Sequence, residues 1–196
     1  MFMYNYHMKI ILASKSPRRL EILNKHGIDC IVMPSQTEEI LPEGIGMEDA
    51  VEMLSLQKAQ ATYNAIKNNP EYSDALIIGA DTIVYLDEIM GKPQDYDDAF
   101  RMLDKIRNTE HYVATGVSLI DAKTGSATTL HDVTTVYCRD YSDDDIRNYI
   151  ETEKPYDKAG SYAIQGPFGR YIDHIDGDYE NVVGLPYYRI EPYLNK

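Results

Sequence analysis

Two long segments rich in β-branched side chains, residues 112–120 and 128–138, are separated by a short polar stretch that contains a glycine. This pattern is typical of an antiparallel β-hairpin. Shorter apolar runs at 8–13, 29–33 and 75–80 alternate upstream with segments of helical character. A chain that combines these two patterns predicts an α/β fold with a mixed sheet and flanking helices.

The helical segments carry recognisable start and stop signals. Pro17 suits the first position of a helix, because its ring fixes φ and it has no N–H to satisfy, and Gly27 is expected to end that helix. Ser142, with Asp145 three positions later, predicts a capped helix that runs to about residue 151. Further helices are expected at 47–67, near 97–107, and from Pro186.

Two segments have less regular patterns. The apolar run at 75–80 ends at Asp81, and residues 83–86 either continue that strand or begin another. Residues 152–170 form a long stretch punctuated by Gly and Pro before a last strand near 171–176. Loops of that length inside a compact domain are usually functional.

Length and charge limit the classes of protein and partner. The chain of 196 residues predicts one catalytic domain over 8–196, preceded by a flexible leader at 1–7. A net charge of -13 disfavours nucleic acid as a partner. The apolar runs are too short to span a bilayer, so no membrane partner is expected, and two cysteines in strand-like segments suit a reducing cytoplasm.

Residues 14–19 read Ser-Lys-Ser-Pro-Arg-Arg and join a predicted strand to a helix N-terminus. Free N–H groups, hydroxyls and an Arg fork at such a position bind phosphate well. The alternative is a solvated first turn with an ordinary Ser cap, although two Arg at a helix N-terminus oppose the helix dipole. The candidate phosphate ligands are Ser14, Ser16, Arg18 and Arg19.

Lys58 interrupts an apolar stripe of the predicted 47–67 helix. The stripe has four-three spacing, so Lys58 is expected to face the core or a cleft, where its charge needs a partner. The alternative is a lysine whose stem covers apolar surface while its ammonium reaches water. The other members of the stripe are Met47, Val51, Leu54, Ala61 and Ala65.

Asp81 follows the apolar run at 75–80, and carboxylates at the ends of strands commonly face the ligand crevice of an α/β sheet. It either accepts a proton or holds a metal, and an Asp that bonds to nearby turn backbone is an equal alternative. Glu38 and Glu39 would complete an oxygen-rich site for magnesium, the usual companion of triphosphates. The alternative is that Glu38 and Glu39 lie in a solvated loop and have no functional role.

Lys92, Lys158 and Gln165 lie in segments rich in Gly and Pro, which suit a lid or cradle around a charged ligand and equally suit tight turns. The sequence lacks the motifs that several other enzyme classes require. It has no phosphate-loop, dinucleotide or nucleophile-elbow motif. Gly79 stands where a haloacid-dehalogenase-like phosphatase would have its nucleophilic Asp.

Taken together and in order, these segments resemble the Maf family of nucleoside triphosphate pyrophosphatases from about Met8 to Leu194. The matching motifs are LASKSPRR, QTEEI, QKA, GADT, GKP, DKAGSYAIQG and DGDYENVVGLP. The resemblance implies a mixed twisted sheet, two lobes around a deep cleft, a divalent cation (Mg²⁺ or Mn²⁺), and a homodimer.

The resemblance also implies roles for individual residues. Asp81 matches the proposed proton acceptor, and Glu39 with Asp81 matches the metal contacts. Arg18, Thr82 and Gln165 match positions that select a pyrimidine base. Residues that match the polar and basic lining of the cleft are Ser14, Ser16, Arg19, Lys58, Lys92 and Lys158.

Three positions separate the branches of the family. The branch that acts on methylated GTP carries an aromatic residue, a Gln and a Glu where this chain has Arg18, Thr82 and Gln165, which resemble the dTTP/UTP branch. Ala163 departs from the more usual Gly and leaves the fine specificity open. The expected reaction is hydrolysis of dTTP or UTP to the monophosphate and pyrophosphate, for house-cleaning of nucleotide pools. The alternatives are a non-catalytic nucleotide-binding regulator linked to cell division, and a domain without a ligand.

Overall fold

The computed structural model describes residues 8–34 and 40–194 of the chain. The expected leader at 1–7 and the acidic residues Glu38 and Glu39 lie outside these ranges. Within them, no helix is both long and apolar enough to cross a membrane.

The described residues form one seven-stranded sheet, which is mixed, as the sequence predicts. Its order is β2-β1-β3-β5-β6-β7, and β4 pairs with β3 outside this path. The β1 strand is parallel to β2 and β3, and the remaining pairs are antiparallel. The strands are β1 (Ile10–Leu12), β2 (Cys30–Val32), β3 (Leu76–Leu86), β4 (Glu88–Met90), β5 (Glu110–Asp121), β6 (Ala127–Cys138) and β7 (Ile172–Asp176).

The helices flank this sheet, and several begin as their sequences predict. Pro17 occupies the first turn of α1, and Gly27 follows its end with φ +73°. Ser142 and Asp145 form a reciprocal capping box at the start of α4. The helices are α1 (Pro17–Lys25), α2 (Met47–Ile66), α3 (Tyr96–Ile106), α4 (Asp143–Glu153), α5 (Tyr179–Val183) and α6 (Tyr187–Leu194).

Helix α2 lies against β3 and β5 at unusually short range. A Cβ at Gly79 would collide with the main-chain oxygen of Ser55, and one at Gly116 would collide with the main chain of Val51. Side chains alternate between the faces of a strand, so Asp81 lies on the same face of β3 as Gly79 and points toward α2. The two glycines therefore bring the helix close enough for its side chains to reach that carboxylate.

The buried face of α2 differs from the predicted stripe in its second half. Ala65 is exposed, whereas Thr62 and Ile66 are buried. Ile66 packs with Ile11 and Ala75, so the contact with the β1 end of the sheet decides which face is covered. The first half follows the prediction, and Lys58 lies at the edge of the buried face.

Asp81 is not at the end of a strand, which corrects the sequence-based expectation. β3 continues through it to Leu86, because β5 pairs with β3 from Leu76 to Tyr85 without interruption. The strand that ends nearby is β1, which pairs with β3 only over residues 76–78, and β4 pairs with β3 only over 84–86. In the described part of the chain, residues 79–83 therefore pair with β5 on one edge and with no strand on the other.

Two large apolar clusters meet at this gap. One contains the buried faces of α3 and α4 together with Tyr162 and Phe168. The other contains β1, the apolar face of α1 and the start of α6, with Val183 and Leu185. The long segment after α4 holds two short 3-10 turns, Ala159–Ser161 and Pro167–Tyr171, and it packs on the first cluster.

Candidate functional site

A cavity of about 660 Å³ opens at the gap on β3. The chain after β1, the middle of β3, α2 and the segment after α4 all contribute to its walls. Every candidate residue from the sequence that the structure describes lines this one cavity, namely Ser14, Ser16, Arg18, Arg19, Lys58, Asp81, Thr82, Lys92, Lys158 and Gln165. Glu39, the other candidate metal ligand, lies outside the described residues.

Lys58 and Asp81 form an ion pair and hydrogen bond inside the cavity. Their side chains are only 15% and 10% exposed. Lys58 therefore has the partner that its position on α2 predicts, rather than an ammonium extended into water. The pair places one positive and one negative charge side by side at the floor of the site.

The chain between β1 and α1 presents its polar groups to the cavity. Ser14 Oγ accepts a hydrogen bond from the Ser16 N–H at 3.2 Å. Ser16 occupies the N-cap position of α1, but its side chain makes no capping hydrogen bond. Arg18 Nη1 lies 3.6 Å from Asp157 Oδ2, across the mouth of the cavity. The Ser16 hydroxyl is thus not used to cap the helix, which favours a role in ligand binding over an ordinary Ser cap.

Arg19 is held by the protein through three of its nitrogen atoms. Nε donates to the Gly184 carbonyl at 2.8 Å, Nη1 to Ser14 Oγ at 3.0 Å and Nη2 to Thr82 Oγ1 at 3.0 Å. The residue is 8% exposed. A guanidinium has five N–H donors in a rigid plane, so these bonds fix the orientation of the whole group. Arg19 thereby organises the site in addition to contributing its charge.

Thr82 belongs to a partly buried hydrogen-bonded chain whose other members, Thr115 and Asn181, sequence reasoning missed. Its Oγ1 lies 2.9 Å from Thr115 Oγ1, and Thr115 Oγ1 donates to the Asn181 carbonyl at 2.9 Å. Thr115 pairs directly with Thr82 across β3 and β5, which only the strand register reveals. Asn181 lies within the motif DGDYENVVGLP, so the motif marked the region but not the contact.

The two lysine-bearing segments of the opposite wall are joined by their backbones. The Gly160 N–H donates to the Gly91 carbonyl at 3.0 Å. Gly91 precedes Lys92 directly, and Gly160 is two residues after Lys158. Gly160 has φ +63°, and a Cβ there would collide with the side chain of Val84. This wall therefore requires glycine at position 160. Lys92 and Gln165 are exposed at the cavity rim.

Asp157 is an acidic residue at the rim that the sequence analysis did not select. Its Oδ1 accepts a hydrogen bond from Lys158 Nζ at 2.6 Å. Partial burial acts to raise the pKa of Asp157, but the hydrogen bond from Lys158 and the charges of Lys158 and Arg18 outweigh it and hold the pKa below its usual value. Asp157 is therefore a carboxylate at neutral pH and occupies two cations that line the site.

The cavity is positively charged although the chain as a whole carries -13. Among the described lining residues, two carboxylates, Asp81 and Asp157, face a larger set of cationic side chains. A partly enclosed cavity with this excess concentrates small polyanions and suits a polyphosphate. The cationic residues are Lys15, Arg18, Arg19, Lys58, Lys92 and Lys158.

The described residues do not form a closed metal site of their own. Within 8–34 and 40–194, no group of three or more His, Cys, Asp or Glu side chains has the spacing to hold a metal ion. Mg²⁺ commonly binds through one or two carboxylates together with phosphate oxygens of the substrate. Asp81 supplies one carboxylate of this kind to the cavity.

Comparison with known proteins matches nearly the whole chain. The profile of the family described as Maf-like protein matches residues 9–196. A protein from Caldicellulosiruptor bescii named dTTP/UTP pyrophosphatase is 41% identical over 189 residues, which cover 96% of this chain and 94% of that protein. A protein of the same name from Dictyoglomus turgidum is 43% identical over 190 residues, which cover 96% of this chain and 95% of that protein.

Proposed function

Because the chain belongs to the family of Maf-like proteins, we propose that it is a nucleoside triphosphate pyrophosphatase that hydrolyses dTTP and UTP to the monophosphate and pyrophosphate. One observation carries the proposal. The cationic residues that the motifs select, together with Asp81, come from five separated parts of the chain and line a single cavity. Similarity to relatives named dTTP/UTP pyrophosphatase supports the choice of substrate.

The triphosphate binds against the cationic wall. Lys92 and Lys158 face the cavity from one side, and the chain at Ser14 and Ser16 faces it from the other. The positive groups balance the charge of the bound triphosphate and of the pyrophosphate as it leaves. Their fixed positions reduce the reorganisation that the reaction requires.

Asp81 is the reactive carboxylate. A water oxygen forms a bond to the α-phosphorus, and the bond from that phosphorus to the oxygen that bridges to the β-phosphate breaks. The water proton passes to Asp81 if Asp81 is the general base, and to solvent if Asp81 is a metal ligand. In both cases Lys58 fixes the carboxylate through their ion pair. The carboxylate is thereby oriented before the substrate arrives.

A divalent cation, Mg²⁺ or Mn²⁺, is the proposed cofactor. Asp81 would hold it together with Glu39 and the phosphate oxygens. Such an ion would neutralise charge on the phosphates and would lower the pKa of a water bound to it.

Arg18, Thr82 and Gln165 are the proposed selectors of a pyrimidine base. Arg18 and Gln165 lie at the rim, where they are accessible to a ligand. Thr82 differs, because its hydroxyl bonds to Arg19 and Thr115. We therefore assign Thr82 an indirect part in selection, through the position of Arg19.

The deciding experiment measures pyrophosphate released from dTTP and UTP with Mg²⁺, with Mn²⁺ and with EDTA. We expect turnover with either cation, none with EDTA, and a loss of at least about 100-fold in kcat for Asp81→Asn. Asp87→Asn is the matched control, because Asp87 is an exposed turn residue at the end of β3 and does not line the cavity. Nucleotide binding without pyrophosphate release by the wild type would instead favour the non-catalytic regulator.

The cellular setting and assembly belong to the same proposal. The family resemblance favours a homodimer, house-cleaning of nucleotide pools and a cytoplasmic location. The two free cysteines, Cys30 and Cys138, fit a reducing compartment. Light scattering on the purified protein tests the dimer, and a single-chain mass at micromolar concentration would contradict it.

A further inference from the structure

His111 on β5 is completely buried and bonds to a residue of the cavity wall. Its Nε2 lies 2.7 Å from Tyr162 Oη. The two rings meet edge to face, with centroids 5.5 Å apart. His111 Nδ1 lies 3.9 Å from Cys138 Sγ, a longer contact. The strong partner of this imidazole is thus the tyrosine.

The environment keeps both groups uncharged. Burial lowers the pKa of His111 to about 4 and raises that of Tyr162 well above its usual value. A neutral imidazole and a protonated phenol form one hydrogen bond in either of two tautomeric arrangements. A buried polar pair of this kind costs free energy if either partner is lost.

Tyr162 lies in the middle of the segment that carries Lys158 and Gln165. It is 6% exposed, lines the cavity and packs on Phe168 with ring centroids 4.9 Å apart. The two residues before it, Gly160 and Ser161, both have φ +63°. A non-glycine residue in this conformation is strained and needs surrounding contacts to hold it. The hydrogen bond from His111 is placed to hold it.

Packing alone does not require a histidine at this position. The neighbours of His111 include Cys138 and Tyr162 in an otherwise apolar cluster, where an aliphatic side chain would avoid the cost of burying an imidazole. The hydrogen bond to Tyr162 therefore explains why position 111 is a histidine. Through that bond, the sheet is connected to the lysine-bearing wall.

We propose that His111 is a positioning residue, whose hydrogen bond to Tyr162 fixes residues 158–165 so that Lys158 and Gln165 face the substrate. The part of this inference that concerns the substrate rests on the proposed function. The part that concerns the segment's conformation stands without it. His111 touches no substrate atom and acts only through Tyr162.

The test compares His111→Leu, Tyr162→Phe and the double variant. Each single change removes the hydrogen bond, so we expect KM for dTTP to rise about tenfold while kcat changes less than about threefold. The double variant should be no worse than the more impaired single variant, because both changes remove the same bond. His111→Gln, which can still bond to the tyrosine hydroxyl, should recover most of the loss.

Tyr141→Phe is the matched control. Tyr141 is also buried in the same cluster, and its hydroxyl donates to the Leu103 carbonyl at 2.6 Å, but it does not line the cavity. This variant should lose stability to a similar degree and keep the wild-type KM. Equal effects of Tyr141→Phe and Tyr162→Phe on KM would overturn the proposal, as would independent, additive losses in the double variant.

Hydrogen exchange of the ligand-free protein provides a readout that does not depend on activity. Amides in a peptide covering residues 157–166 should exchange at least about tenfold faster in His111→Leu and Tyr162→Phe than in Tyr141→Phe. Unchanged exchange in that peptide would overturn the inference even if turnover fell. If the wild type releases no pyrophosphate, the proposed function fails while this measurement still decides the role of His111.

Discussion

Lys58 and Asp81 meet as an ion pair although they belong to different elements, α2 and β3. Gly79 and Gly116 make the meeting possible, because neither has a side chain between the helix and the sheet. Asp81 and Gly79 share a face of β3, and Gly116 pairs with Asp81 across the strands. The geometry of the site is therefore prepared by residues that carry no functional group.

Replacement of Lys58 by Met should lower both stability and activity. The change leaves the Asp81 carboxylate, which is only 10% exposed, without its charged partner, and we expect a loss of about 2 to 4 kcal/mol in the free energy of unfolding. Urea denaturation at pH 7 measures this loss. The Lys58→Met/Asp81→Asn double variant should be more stable than Lys58→Met alone. If the loss of unfolding free energy in the double variant equals the sum of the losses in the two single variants, the two side chains do not interact directly.

Thr82→Val tests whether Thr82 reads the base directly. The change removes the hydroxyl that accepts from Arg19 and bonds to Thr115. We expect kcat/KM to fall about tenfold for UTP and CTP alike, since a misplaced Arg19 affects every substrate. Thr82→Ser keeps the hydroxyl and should stay within about threefold of the wild type. A change confined to the UTP-to-CTP ratio would instead show direct contact with the base.

Asp157→Asn should improve substrate binding at low salt. The carboxylate of Asp157 pairs with Arg18 and Lys158, so an incoming triphosphate must compete with it for both cations. Without that charge we expect KM to fall about twofold to fivefold in 20 to 50 mM salt and to approach the wild-type value near 0.5 M, because screening weakens exposed ion pairs. Steady-state kinetics over a salt series measures the effect. A higher KM at every salt concentration would mean that Asp157 supports the wall rather than competes with substrate.

Gly79→Ala should destabilise the protein by more than about 2 kcal/mol, because the added methyl group meets main-chain atoms of α2 that cannot rotate away. Thermal and urea unfolding measure the loss. Gly91→Ala is the control, since a Cβ there has open space and no positive φ. It should change the free energy of unfolding by less than about 0.5 kcal/mol. Equal stability of the two variants would show that α2 can move away from the sheet.

His111 should make stability depend on pH between about 4 and 6.5. Burial depresses its pKa in the folded state, so in this window the unfolded chain binds a proton that the folded chain does not. The free energy of unfolding therefore falls as the pH is lowered, by about 1.4 kcal/mol per pH unit for one such group. Urea titrations from pH 7 to 4.5 measure the slope. His111→Gln should have a slope that is smaller by that amount, and identical slopes would rule out a neutral buried His111.

The sequence predicted the order of the main strands and helices and, apart from Glu39, which lies outside the described residues, the residues that share the cavity. Lys58 was predictable because a charge within an apolar helical stripe needs a partner. That this partner is Asp81, and that Asp81 lies in the middle of a strand, could not be predicted, because both depend on how far β5 pairs along β3. Local pattern does not reveal how long a strand stays paired.

Other features depended on contacts between residues distant in the chain. Thr115, Asn181 and His111 have ordinary local surroundings, and only the strand register and the packing of α5 bring them to Thr82 and Tyr162. The short strand β4 and the five-residue helix α5 also escaped prediction, since such lengths give too little periodicity to detect.

The hydrogen bond from Gly160 to Gly91 has a consequence for how the family can vary. This bond joins two segments that are remote in sequence, one with Lys92 and one with Lys158. An inserted or deleted residue in either segment would therefore displace both lysines. Length changes in these segments should be rare, and where one occurs a compensating change should accompany it in the other. Additional residues are better tolerated at the exposed turn between β5 and β6, where a longer loop would leave the cavity undisturbed.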